Sequence, residues 1–226
     1  MSASDIYYAL ERKRRKTIEI SVLPDGKVMV KAPFDASDTI ISNFVVKRSS
    51  WIHKQIDYFR DFEPRLQPRH FVPGETHLFL GRRYRLRILS GTPGVKIESG
   101  YLVVKTKEKS LAQVEHTIES WRRKQAKIVF AELAEKVWSH AGLSIEKRPR
   151  LCVKALTRRW GSLSASGTLT LNLALIQAPR PCIEYVICHE TCHIDHPGHS
   201  ASFYRKLKGI LPEWKDRKLR LERMLC

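Results

Sequence analysis

Tyr185-Val186-Ile187-Cys188-His189-Glu190-Thr191-Cys192-His193-Ile194-Asp195-His196-Pro197-Gly198-His199 is the stretch on which the reading of this chain turns. Histidines at i and i+4 lie about 40° apart on a helical wheel, so both imidazoles leave the same face. That spacing lets two ring nitrogens approach one cation at about 2.0–2.1 Å. Glu190, one position on, is placed to take a proton from an activated water rather than to bind the cation. Ile183, Ile187 and Ile194 form a separate stripe about 120° away, able to enter a core while the histidines face a cleft. Pro197-Gly198 breaks the helix and can turn the chain back.

A catalytic cation of this kind needs a third protein ligand and an open fourth position. His199, ten residues after His189, is the favoured third ligand. His196 is the alternative, as ligand or as a hydrogen-bonding support to one, and Glu213 and Glu222 are further candidates. The ten-residue spacing matches the metzincin pattern. His196 stands where that pattern has glycine, however, and no methionine follows before Met224, so a metzincin proper is not expected. Histidine ligands select Zn2+ over magnesium. The chemistry expected is hydrolysis by a zinc-activated water with Glu190 as general base. Arg159, Ser162, His196 and Tyr204 are candidates for substrate or oxyanion contacts.

Working outward, a helix is expected from Pro181 to about Asp195, another from Ser200 to before Pro212, and a last one over Glu213–Leu225. Upstream, Ser110–His140 reads as one long helix ended by Gly142. Leu151–Leu156 and Thr168–Leu173 read as strands flanking Trp160-Gly161-Ser162, a segment whose edge could take an extended peptide. The first hundred residues are β-rich. Three hairpins are expected, turning at Pro24-Asp25-Gly26, Gly81-Arg82 and Ser99-Gly100, and one helix over Asp38–Phe59. A boundary near residue 107 divides a basic β-rich module (1–106) from a hydrolase domain (107–226).

The chain has 226 residues, with 41 Lys+Arg against 23 Asp+Glu, a formal charge of +18. Such a field attracts polyanions, so contact with nucleic acid or a nucleotide is a candidate property. The basic runs Arg82–Arg87, Lys147–Arg150 and Lys215–Arg223 motivate it. No segment approaches the roughly 18 apolar residues of a membrane span, and no apolar core follows the basic run Arg12–Lys16. The expected location is cytoplasmic. Five cysteines, an odd number, argue against a disulfide framework. Cys188 and Cys192, four apart, read as small buried hydrophobes rather than as ligands.

The chain resembles the YgjP-like metallopeptidase family, relatives of the SprT-like and WLM zincins. Arg159-Trp160-Gly161-Ser162, Leu171-Asn172, Leu175-Ile176-Gln177-Ala178-Pro179, the His189-Glu190-x-x-His193 core, His199-Ser200, Phe203 and Leu211-Pro212-x-Trp214 carry the likeness. Leu80-Gly81-Arg82-Arg83-Tyr84 and shorter matches extend it toward the N-terminus. The resemblance implies an α+β zincin-like domain with an active-site helix, preceded by a small basic β-rich module. It also implies His189, His193 and His199 as metal ligands, Glu190 as base and a peptide substrate. Some relatives are linked to hydrolysis of UTP, which makes a nucleotide the alternative substrate. Leu163 and Thr191-Cys192 depart from the family's usual Cys and Leu-Ala.

Overall fold

Apolar residues at alternate positions, Val28, Val30 and Ala32, make one face of a strand dry, and the chain builds outward from such strands. The computed structural model describes residues 6–23, 26–60, 69–157 and 159–225, in a mixed α+β arrangement. The chain separates into two units, residues 1–66 and 67–225.

In the first unit, β1 (Tyr8–Arg12) runs parallel and β2 (Glu19–Val22) antiparallel to the central β3 (Val28–Ala32). The β2–β3 hairpin matches expectation, although Pro24 and Asp25 of its turn lie outside the described residues. Helices α1 (Asp38–Lys47) and α2 (Ser49–Arg60) cover the sheet through Ile41, Val45 and Ile52. The single helix expected over Asp38–Phe59 is thus two. The chain breaks at Arg48, whose φ of −105° and ψ of 7° leave the helical well. Ser37 caps α1 by accepting from the Ile40 amide.

In the second unit, β4 (Thr76–Phe79), β5 (Arg82–Ser90), β6 (Gly94–Glu98) and β7 (Tyr101–Thr106) form a sheet in the order β4-β5-β7-β6. Ser99 and Gly100 sit at φ 47° and 81° between β6 and β7, the left-handed pair that a two-residue hairpin turn requires. The β4–β5 turn is Leu80-Gly81, one residue earlier than expected, at φ 48° and 79°.

Leu86, Leu102 and Val104 pack on Val114 and Ile118 of α3 (Leu111–His140). The boundary expected near residue 107 therefore falls inside the second unit, because sheet and helix share a core. The other half of α3, from Ala126 to Trp138, packs against β10 (Thr168–Asn172) and α4 (Arg180–Cys192). β10 is the centre of a second sheet, parallel to β8 (Arg150–Lys154) and antiparallel to the short β9 (Gly161–Leu163). Helices α5 (Ala201–Ile210) and α6 (Trp214–Leu225) close this core through Phe203, Leu207 and Leu221.

Two contacts fix α4. The Leu80 and Gly81 amides donate to the carbonyls of Ile176 and Gln177, seating the β4–β5 turn just before the helix. A Cβ at Gly81 would stand 2.6 Å from Pro179 Cγ, so this approach requires glycine. Behind the helix, Trp138 Nε1 donates to Thr191 Oγ1, which itself donates to the Ile187 carbonyl. Thr191 is thereby satisfied in a dry interface. Among the described residues no helix is long and apolar enough to cross a membrane.

Candidate metal centre

Helix α4 begins at Pro179-Arg180-Pro181, where missing amides cost nothing, and ends at Cys192 with His193 as its C-cap. The helix is therefore a little shorter than expected. His189 sits in its last turn and His193 just beyond. Ile183 and Ile187 are fully buried on the core side, while Ile194, past the helix end, is only half-buried. Cys188 and Cys192 are also buried away from the histidine face, and both are free thiols. Their burial as small apolar groups is the expected reading.

After His193 the chain turns through Pro197-Gly198 and enters α5. Ser200 caps that helix by accepting from the Phe203 amide. The cap brings two residues into register: His199, just before it, and Phe203, one turn inside. Lys206 of α5 forms an ion pair with Asp195, holding the returning loop.

The result is convergence of three imidazoles. One nitrogen from each of His189, His193 and His199 lies within 4.8 Å of the others, and among the described residues this is the grouping able to hold a metal ion. His189 Nε2 and His199 Nε2 are 3.0 Å apart. His193 Nδ1 donates to the His196 carbonyl at 2.9 Å, which leaves Nε2 with its lone pair free. Phe203, fully buried, touches all three rings, with centroids 5.0, 4.7 and 4.8 Å from His189, His193 and His199. Burial, then the neighbouring His193 and His199, pushes His189 down to about 4, so it is neutral and able to coordinate at pH 7. Burial likewise lowers His199, with His193 adding to it. Three imidazoles at these separations are a donor set that suits zinc.

Glu190 faces the same space and is 8% exposed. Burial raises its carboxyl above the usual range, opposed by His193, the Leu163 amide and Arg159. Strand β9 lies hard against it. A Cβ at Gly161 would meet Glu190 Cγ at 2.9 Å and Oε1 at 3.0 Å. Glycine at 161 is thus what lets β9 approach the glutamate this closely.

A cleft of about 910 Å³ opens over these groups. One wall is Arg159 to Ala165, another is α4, and the far side carries Lys218, Leu221 and Glu222 of α6. Arg159 and Ser162 therefore border the cleft. His196 supplies its carbonyl to His193, while its ring faces Ser202 Oγ at 3.4 Å. Tyr204, 41% exposed, stacks on Trp214 at 5.4 Å with its ring 6.2 Å from that of His199. Glu213 pairs with Arg217 at 2.7 Å.

Three contributors escaped sequence reasoning as site residues. Phe203 underlies the imidazoles. Lys218 completes the far wall. Asn172 holds the loop before β9: its Nδ2 donates to the carbonyls of Leu156 and Arg159, and its Oδ1 accepts from the amides of Leu156 and Ala174. A signal for Asn172 was present, since an amide ending the apolar alternation of β10 enters the interior and needs partners.

A helix presenting His-Glu-x-x-His, joined by a third histidine past the helix end, defines the zincin class of metal-dependent hydrolase. The family profile described as YgjP-like, metallopeptidase domain, matches residues 16–224, and the chain belongs to that family. It is a metal-dependent, peptidase-like hydrolase. No curated protein matches the sequence. Among solved structures, the metallopeptidase zymogen of Pyrococcus abyssi abylysin is 25% identical, covering 42% of this chain and 94% of its own, with a TM-score of 0.39. The metallopeptidase zymogen of Methanocaldococcus jannaschii jannalysin is 18% identical, covering 43% and 97%, with a TM-score of 0.38.

Proposed function

We propose that this protein is a zinc peptidase in which His189, His193 and His199 hold the ion and Glu190 is the general base. The observation that carries the reading is the meeting of three imidazoles beside a buried carboxylate. When bound, zinc supplies Lewis acidity, acidifying a water and polarising a carbonyl. Glu190 takes the proton of the attacking water and delivers it to the leaving amine, and its raised basicity suits that task. The Leu163 amide and Gly161 hold the carboxylate in place from the strand side.

Among the described residues β9 pairs with β10 along one edge only, and Gly161, Ser162 and Leu163 line the cleft. An extended peptide adding to that edge would be aligned across Glu190 by main-chain hydrogen bonds. Arg159 is placed to steady negative charge developing on the scissile carbonyl.

The test compares the parent with Glu190→Gln, both loaded with zinc, on an unstructured protein substrate and on UTP. Loss of peptide cleavage by at least a hundredfold with zinc retained is the expected result. Undiminished cleavage in that variant would overturn Glu190 as base. Turnover of UTP alone would overturn the peptide substrate.

A further inference from the structure

The run Arg82–Arg87 acquires a definite geometry from the sheet. In β5, Tyr84, Leu86 and Ile88 point into the core shared with α3, so Arg83, Arg85 and Arg87 share the opposite face, and all three are exposed. Register extends the pattern across neighbouring strands. Leu89 is opposite Lys105 of β7, Arg87 opposite Val103, and Val103 in turn opposite Lys96 of β6. The same face therefore carries Arg83, Arg85, Arg87, Lys96 and Lys105, with Glu98 its single carboxylate among these strands. None of the five cations forms an ion pair among the described residues, and the Arg87 guanidinium lies 4.2 Å over the Tyr101 ring. Cations on a merely solvated surface are usually interleaved with acids; here the alternation collects them on one side.

We infer that this face of the β4-β5-β7-β6 sheet binds single-stranded nucleic acid. Arginines at alternate positions recur about every 6.8 Å and form a line of phosphate contacts. The Arg87–Tyr101 stack supplies a flat π surface on which an unpaired base can lie. An open sheet face accepts an extended strand, whereas an acidic peptide would leave the aromatic platform without a function. None of these residues belongs to the hydrolytic cleft, so the surface is a property additional to the peptidase reading.

The experiment measures fluorescence anisotropy of a labelled 15-nucleotide oligo-dT with the full chain over a salt series. The triple variant Arg83→Gln/Arg85→Gln/Arg87→Gln is compared with a control of equal charge loss on α6, Lys215→Gln/Arg220→Gln/Arg223→Gln. The sheet variant is expected to bind at least tenfold more weakly, with the slope of log affinity against log salt reduced by about 2. The control should keep most of the affinity. Tyr101→Ala should weaken binding without changing the salt slope. Peptide cleavage and melting temperature should stay at parental values in the sheet variant, which separates lost binding from lost folding. Equal losses in both triple variants, parental affinity in the sheet variant, or polyglutamate competing as well as oligo-dT would each overturn the inference.

Discussion

Gly161 and Glu190 touch: a methyl group on the glycine would lie 2.9 Å from Cγ of the glutamate. Real Cβ atoms do not sit that close, so Gly161→Ala must move either β9 or the carboxylate. Overpacking of this kind costs about 1–3 kcal/mol. The variant should keep its zinc while kcat falls by about ten- to a hundredfold, because misplacing a reacting group by about 1 Å has that effect. Steady-state kinetics beside metal analysis check it, and unchanged kcat would mean the contact does not set the base.

His199 and His196 differ in what their rings face. His199 points at His189, whereas the His196 ring faces Ser202 and only its carbonyl serves the centre. His199→Ala should lower zinc affinity at least tenfold, and His196→Ala should retain about one equivalent, since a main-chain acceptor survives the substitution. Elemental analysis after dialysis against a weak chelator measures both. The reverse order would reassign the third ligand.

Phe203 is a floor under three imidazoles. Phe203→Ala removes that floor and opens a cavity, with an expected loss of about 3–5 kcal/mol in urea unfolding. Phe203→Leu restores most of the volume and should recover most of the stability while zinc affinity stays reduced, because the flat ring surface is gone. Equal zinc affinity in Phe203→Leu and parent would limit Phe203 to a packing role.

His77 is 1% exposed between Arg122 and Glu75. Arg122 donates to Nδ1, and Nε2 donates to Glu75 Oε2, so the ring is neutral. Burial, followed by the charges of Arg69 and Arg122, pushes it down to about 4, with Glu75 opposing. Its folded pKa thus lies below the unfolded value of about 6.5. The sign follows: the unfolded chain binds the extra proton, so stability is full above about pH 6.5 and declines as pH falls toward 4. Urea unfolding at pH 7, 5.5 and 4.5 should show a shallower decline in His77→Gln than in the parent. Parallel declines would assign the effect to other groups.

Local chemistry explains which parts of this fold could be read in advance. His189 and Glu190 lie in the last turn of one helix with His193 as its C-cap, and Ser200, Gly142 and Ser99-Gly100 mark ends and turns locally. What escaped depends on partners distant in sequence. Strand β1 exists through parallel pairing with β3 some twenty residues later, and the break at Arg48 has no proline or glycine to announce it. The three residues of β9 are too few to show a period. Phe203 was visible as an apolar position, but its place beneath the histidines follows only once the Pro197-Gly198 turn folds α5 back on α4. Lys218 borders the cleft because α6 closes over it, which no spacing records.

The Leu80-Gly81 turn, seated on Pro179, has a consequence for anyone dissecting or shuffling this enzyme. A fragment that began at the long helix would strip the Ile176 and Gln177 carbonyls of their donors and leave the start of the histidine helix without its brace. The smallest transplantable hydrolase must therefore carry the hairpin with it, and insertions at that tip should silence the enzyme from a distance.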